Sequence, residues 1–170
     1  MKIYLLGFMA SGKSWLGRNL ARELGLDFYD LDAMVEENSG KTISAIFDEE
    51  GEEKFREKER EALHSTAELD NCVIATGGGT PCFYDNMQWM NTQGITLFID
   101  APVELLVKRL LGNEKRPLVK GMDEQQLTRF IEEKLAERLP FYNQSHLCLQ
   151  PNGHSDRHLE VLVDYLGRFI

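Results

Sequence analysis

A glycine-rich segment with a lysine and a serine follows the first apolar run of the chain. Residues 7–14 read GFMASGKS and match the pattern G-x-x-x-x-G-K-[ST] at every fixed position. Glycines let a backbone wrap around an anion, and the N-terminus of the next helix adds positive charge. Lys13 has the charge and reach to bind the β- and γ-phosphates of a nucleotide, and the Ser14 hydroxyl is a ligand for Mg²⁺. The segment therefore predicts a nucleotide phosphate site.

Two carboxylates, Asp30 and Asp32, end a predicted strand over residues 26–30. On an extended backbone, residues i and i+2 point to the same side, so both acids face the phosphate site if this strand lies beside the first. One acid would then hold Mg²⁺ or its water, and the other would accept a hydrogen bond from an attacking hydroxyl. The predicted strand over residues 72–76 ends without an acid that could bind Mg²⁺, so Asp30 is the better candidate for a metal ligand. A D-x-D pair is also ordinary helix N-cap chemistry, so this assignment depends on the phosphate loop.

Arg56 lies in a segment, residues 48–61, that carries eight acidic and four basic residues. Most of this segment is typical of a solvated helix face with i, i+4 ion pairs such as Glu52 with Arg56. Phe55 is the one large apolar residue of the run, so we expect it to turn inward and to place Arg56 at the edge of the buried side.

Three glycines, Gly77, Gly78 and Gly79, follow a predicted strand over residues 72–76. They remove every side chain at that end of the sheet, so a small ligand can contact bare backbone N–H groups. A flexible surface loop is the alternative, although such loops more often carry Ser, Asn or Asp.

Residues 108–120 carry five basic residues and one acidic residue, a local charge of +4. Gly112 and Gly121 bracket the segment, which predicts a mobile lid over about residues 112–123 that excludes water and brings Arg116 to the γ-phosphate. Arg138 is predicted to end the following helix, where a cation is favourable even without a function.

Short apolar runs alternate with helical periodicities along the rest of the chain. The predicted strands cover residues 2–6, 26–30, 72–76, 95–99 and 147–149. The predicted helices cover residues 13–24, 31–38, 42–50, 52–69, 103–110, 127–135 and 159–166. This alternation predicts an α/β fold whose parallel sheet is covered on both faces, in one domain of 170 residues. Ligands of such folds bind beyond the carboxyl ends of the strands.

The overall composition excludes several classes of binding partner. A net charge of −9 argues against a nucleic-acid binder and against an anionic membrane surface. We find no signal peptide and no apolar run long enough to span a membrane, and the three cysteines form no CxxC pair. These features predict a cytoplasmic protein with reduced thiols and no structural zinc. The sequence has no long exposed apolar stripe, which favours a monomer.

Together, the motifs resemble the shikimate kinase family. The resemblance rests on GFMASGKS, FYDLD over residues 28–32, Phe55-Arg56-x-x-Glu59, the three glycines, Arg116-Pro117-Leu118, and Arg138 with Tyr142. It implies a P-loop three-layer α/β/α fold with a five-stranded parallel sheet, in a single domain over residues 1–170. It also implies a helical substrate-binding insert over about residues 31–62 and the lid over about residues 112–123. The reaction it implies is transfer of the γ-phosphate of ATP to the 3-hydroxyl of shikimate with Mg²⁺, a step of aromatic amino acid biosynthesis.

The resemblance also implies a role for individual residues. Shikimate would be bound by Asp32, Arg56, Gly77, Gly78, Gly79 and Arg138. ATP would be bound by Ala10, Ser11, Gly12, Lys13, Ser14, Trp15, Arg109, Arg116 and Ser155. Lys13, Asp32 and Arg116 would act in catalysis, and Ser14 and Asp30 would serve Mg²⁺. Asp32 is either a true base or a group that orients the hydroxyl, because the transition state of phosphoryl transfer is loose.

The sequence departs from the family at two places, and two other functions remain as alternatives. Trp15 stands where the family has a small hydroxyl residue, so only its backbone is expected to contact phosphate. Residues 150–155, which would flank the adenine with Arg109, match the family poorly. The chain could instead be another kinase of this fold, for gluconate or a nucleoside monophosphate, or a nucleotide sensor without transfer activity. A substrate without a carboxylate would not need both Arg56 and Arg138.

Overall fold

The computed structural model describes residues 1–112, 117–151 and 155–169. Its strands are β1 (Lys2–Leu6), β2 (Asp27–Asp30), β3 (Cys72–Ala75), β4 (Ile95–Ile99) and β5 (Leu147–Leu149). Its helices are α1 (Lys13–Leu24), α2 (Leu31–Ser39), α3 (Ile43–Ser65), α4 (Asn86–Gln93), α5 (Val103–Leu110), α6 (Glu124–Tyr142) and α7 (Ser155–Leu166). Short 3₁₀ turns follow α3, β3 and α7, and a fourth covers Pro117–Val119.

The five strands form one parallel sheet in the order β2-β3-β1-β4-β5. Side chains alternate across β1, so Ile3 and Leu5 pack with α1 and α7, whereas Tyr4 and Leu6 pack with α2, α3, α4 and α6. All four of these residues are fully buried. The three-layer α/β/α architecture is therefore as predicted, and the carboxyl ends of all five strands meet at one edge of the sheet.

The strand and helix predictions are confirmed for most of the chain, with three differences. The helices predicted over residues 42–50 and 52–69 form one element, α3, with a kink where Gly51 has φ 84°. Helix α4 was not predicted, because its sequence NMQWMNTQ has no apolar stripe of helical period. The prediction that Arg138 ends a helix is wrong, since α6 continues through Pro140 to Tyr142.

None of the helices in the described part of the chain is both long and apolar enough to cross a bilayer.

Candidate functional site

The phosphate loop joins β1 to α1 and is held in a wrapped conformation. Gly7 has φ 146° and Gly12 has φ 106°, values that suit glycine, and Ala10 also adopts a positive φ of 61°. A methyl group on Gly7 would lie 2.8 Å from the carbonyl oxygen of Ile99, so the loop also packs too closely for a side chain there. The Lys13 ammonium donates to the carbonyl oxygens of Gly7 and Phe8 at 2.8 Å each. The lysine is thus held across the loop at the start of α1.

Ser14 and Asp30 lie against each other at the carboxyl ends of β1 and β2. The Ser14 hydroxyl donates to Asp30 Oδ2 at 3.0 Å, and Asp30 Oδ1 accepts from the backbone N–H of Asp32 at 3.1 Å. Asp30 is thereby the N-cap of α2, and Asp32 lies in the first helical turn.

The strand-based reason for pairing these two acids is therefore wrong. Asp32 is helical rather than extended, and β3 lies between β1 and β2. The two carboxylates nevertheless line the same cavity, because the N-cap of α2 sits at the carboxyl edge of the sheet.

A cavity of about 570 Å³ opens at this edge. It is lined by Met9, Ala10, Gly12, Lys13, Ser14, Trp15, Asp30, Asp32, Thr76, Gly77, Gly78 and Arg109. Arg109 donates to the carbonyl oxygen of Ala10 at 2.8 Å, which fixes its guanidinium over the phosphate loop. The Trp15 side chain is 46% exposed on the cavity wall. Ser11, within the loop itself, is buried.

The glycine loop after β3 is the place where three predicted substrate residues meet. A methyl group on Gly77 would lie 3.1 Å from an Asp32 carboxylate oxygen, and one on Gly78 would lie 3.0 Å from an Arg138 nitrogen. One on Gly79 would lie 2.8 Å from both terminal nitrogens of Arg56. The three glycines therefore allow close approach of charged side chains to bare backbone, rather than loop flexibility.

Arg56 is held on several sides at the edge of the core, as predicted from the inward turn of Phe55. Its Nη1 donates to the buried carboxylate of Glu59 at 2.9 Å. Its guanidinium lies 4.0 Å from the ring centroid of Phe83 and 5.0 Å from that of Phe55. The other oxygen of Glu59 accepts from the Thr80 hydroxyl at 2.6 Å.

Three contacts around Arg56 were not predicted from the sequence, namely those of Arg56 with Glu59 and Phe83 and that of Thr80 with Glu59. The i, i+3 spacing of Arg56 and Glu59 on one helix was the available signal for the first of them. The other two come from the turn after the glycine loop, a non-local contact that no local pattern reveals.

Arg138 lies against the glycine loop at Gly78. Its guanidinium is 5.2 Å from the ring centroid of Phe8. One turn further along α6, the buried Tyr142 hydroxyl donates to the carbonyl oxygen of Gly78 at 2.5 Å. Burial raises the pKa of the Tyr142 phenol above its usual range, so it stays a neutral donor. Burial likewise raises the pKa of the neighbouring Cys82 thiol to about 11, which keeps it protonated near neutral pH.

Two of the predicted residues fall at gaps in the described chain. Arg116 lies outside the described residues, as do residues 152–154 beside the predicted adenine site. Ser155 begins α7, and its side chain is not among those described. Gly112 and Gly121, the predicted brackets of the lid, have φ of 72° and 75°, and both adopt the left-handed conformation.

A wrapped phosphate loop at the carboxyl edge of a parallel sheet, with a Ser–Asp pair beside it, defines a P-loop nucleotide-binding protein. The family model for shikimate kinase matches residues 9–166. The shikimate kinase of Phocaeicola vulgatus is 43% identical over 169 residues, which cover 98% of this chain and 97% of that protein. The chain belongs to the shikimate kinase family.

Solved structures agree with this assignment. The crystal structure of shikimate kinase from Bacteroides thetaiotaomicron has a TM-score of 0.91 and 40% sequence identity, and the match covers 98% of both chains. A shikimate kinase from Acinetobacter baumannii, in complex with shikimate, has a TM-score of 0.86 and 34% identity over 98% of this chain and 93% of that one.

The exposed indole of Trp15 predicts a fluorescence signal for nucleotide binding. The chain has two tryptophans, and Trp89 instead stacks on His64 with ring centroids 4.4 Å apart. We expect ADP to change the emission of the wild type and of Trp89→Phe, because Trp15 lines the phosphate cavity. Trp15→Phe should lose most of that change while still binding ADP by calorimetry. A full emission change in Trp15→Phe would show that Trp15 does not meet the nucleotide.

Proposed function

We propose that the protein transfers the γ-phosphate of ATP to the 3-hydroxyl of shikimate and releases shikimate 3-phosphate and ADP. The observation that carries this proposal is the meeting of Asp32, Arg56 and Arg138 around the glycine loop, beside a formed phosphate loop. Shikimate has one carboxylate, which suits two guanidinium forks, and hydroxyls, which suit a carboxylate and a backbone N–H. The carboxylate of Asp32, the guanidinium groups of Arg56 and Arg138, and the bare backbone of the glycine loop supply all of these groups at one place.

The nucleotide half of the site would use the groups of the phosphate loop. Backbone N–H groups of Ala10 to Trp15 would cradle the phosphates, as the wrapped loop and the N-terminus of α1 allow. Lys13 already lies across the loop, where it would pair with the β- and γ-phosphates. Arg109, fixed on Ala10, would lie at the nucleotide's side of the cavity with Ser155 and the residues before it.

The residues present fit a magnesium ion that arrives with the nucleotide. The Ser14 hydroxyl and the Asp30 carboxylate are hard oxygen donors 3.0 Å apart. Mg²⁺ is usually held by one or two carboxylates together with substrate phosphates and waters. When bound, Mg²⁺ would offset phosphate charge.

In the transfer itself, the protein would position the two reactants and neutralise the charge on the phosphoryl group. Asp32 would accept the hydrogen bond of the attacking 3-hydroxyl and take its proton as the new P–O bond forms and the bond to ADP breaks. Arg56 and Arg138 would hold the carboxylate at the far end of the ring and so fix which hydroxyl faces the phosphate. Lys13 and Arg116 would neutralise the oxygens of the transferring phosphoryl group, and the lid would exclude water.

The organisation of the chain follows from these roles. Helices α2 and α3 would form the substrate-binding insert over about residues 31–62, and the segment between α5 and α6 would form the lid over about residues 112–123. The single domain over residues 1–170, the monomeric state and the cytoplasmic location stay predictions.

An ADP-release assay with three acceptors tests the proposal against its alternatives. We expect release with shikimate at a rate well above that with gluconate or AMP, because the ring of shikimate holds its carboxylate and 3-hydroxyl at a fixed separation, whereas gluconate carries its carboxylate on a flexible chain and AMP has no carboxylate. Preferential turnover of gluconate or AMP would assign the site to another kinase of this fold. ATP binding without release on any acceptor would indicate a nucleotide sensor.

Asp32→Asn tests the group that faces the hydroxyl. We expect turnover to fall by about tenfold or more, because the amide cannot take the proton and orients the hydroxyl less well. ADP affinity should stay close to that of the wild type. Glu37→Gln is the matched control, since it removes one charge from an exposed position of the same helix. Full activity in Asp32→Asn would remove Asp32 from the mechanism.

Gly79→Ala tests whether Arg56 must lie against the glycine loop. The backbone at Gly79, with φ −91° and ψ −16°, suits alanine, so the new methyl group acts through its 2.8 Å approach to Arg56. We expect the KM for shikimate to rise about tenfold, since a charged hydrogen bond is displaced, with the KM for ATP unchanged. Gly167→Ala, whose methyl group would meet no atom closer than 3.8 Å, is the control. An unchanged KM for shikimate in Gly79→Ala would argue against Arg56 as the carboxylate's partner.

A further inference from the structure

A carboxylate of the protein itself already lies on the donor edge of Arg56. Glu52 Oε1 accepts from Arg56 Nη2 at 3.2 Å and from Arg56 Nε at 3.4 Å. The Nε and Nη2 atoms form one of the two edges through which a guanidinium binds a carboxylate with parallel hydrogen bonds. Glu52 therefore holds a position that a substrate carboxylate can use.

The two acids that pair with Arg56 differ in their freedom to leave. The side chain of Glu59 is 1% exposed and is also held by the Thr80 hydroxyl. The side chain of Glu52 is 59% exposed, and its pair with Arg56 has i, i+4 spacing on the surface of α3. Surface pairs of this kind contribute little to stability, whereas breaking a buried pair is costly. Only Glu52 can exchange at small cost.

The charges favour an exchange over an addition. In the free protein, Arg56 and Arg138 share the glycine loop and its edge with three carboxylates, Asp32, Glu52 and Glu59. A substrate carboxylate added to this group would give four negative charges against two positive ones. If Glu52 swings into solvent as the substrate binds, the count stays at three against two, as in the free protein.

We propose that Glu52 is an internal competitor for the substrate carboxylate, which occupies the donor edge of Arg56 in the free protein and is displaced on binding. This inference rests on the proposed function. Glu52 then sets the affinity for carboxylate ligands. A ligand with a carboxylate must displace Glu52 to reach the donor edge of Arg56, whereas a ligand without one leaves the ion pair in place, so the competition lowers the affinity for carboxylates only.

Glu52→Gln, which keeps the size of the side chain and removes its charge, tests the competition. We expect the KM for shikimate to fall about two- to fivefold, the range that a surface ion pair provides, with kcat and the KM for ATP unchanged. Glu53→Gln is the matched control, because it removes the same charge at the next position of α3 without a contact to Arg56. That variant should behave as the wild type.

Shikimate methyl ester, in which the carboxylate is masked, completes the experiment as a competitive inhibitor. We expect Glu52→Gln to leave its inhibition constant unchanged. A higher KM for shikimate in Glu52→Gln would show that Glu52 only holds Arg56 in place, and an unchanged KM would show that it does not compete. An equal fall of the KM for shikimate in Glu53→Gln would indicate a general charge effect. Each of these three results would overturn the inference. The wild-type rate with shikimate is read separately, so a failure of the proposed function is recognised in that arm.

Discussion

Burial of the central strand β1 on both faces is the constraint on which the site depends. With β3 and β4 as parallel neighbours and helices on both sides, each connection must cross back over a face of the sheet. The carboxyl ends of the strands are thereby forced to one edge. The phosphate loop, the N-cap of α2 and the glycine loop follow β1, β2 and β3, and so they meet there whatever their own sequences. The fold supplies the meeting place, and the loops supply the chemistry.

The parts of the site that the sequence predicts are those built within one short segment. The phosphate loop and α1 depend on neighbours along the chain, and each forms as expected. Strand order is different, because all the strands are short and nothing in β2 distinguishes β1 from β3 as its neighbour. The acids Asp30 and Asp32 therefore reach the cavity by N-capping rather than by strand alternation. Contacts such as that of Arg56 with Phe83 join distant segments and leave no periodic trace.

The Arg56–Glu59 pair explains why the loop after β3 is made of glycines. A buried ion pair is tolerated only when its remaining hydrogen-bonding groups are satisfied. Here the Thr80 hydroxyl donates a hydrogen bond to the second oxygen of Glu59. This requires the loop that carries Thr80 to pass directly against the guanidinium, at a distance where the methyl group of alanine would collide. The same close approach leaves the loop's backbone bare toward the ligand. The glycines thus reflect the packing of charged groups, and their conformational freedom is secondary.

The protein has a net charge of −9, yet ATP and shikimate are both anions. The charges that matter for binding are those in the site, and they differ from the total. Among the described residues, the site holds four cations, Lys13, Arg56, Arg109 and Arg138, and four carboxylates, Asp30, Asp32, Glu52 and Glu59. Because these balance, the site offers an approaching anion no large excess of positive charge. Under the proposals above, binding would come from exchange of partners at short range, with a metal ion at Asp30 and the displacement of Glu52 from Arg56 restoring the balance. Such a site selects ligands by where their charges lie, since only a correctly placed anion regains the hydrogen bonds that its entry breaks.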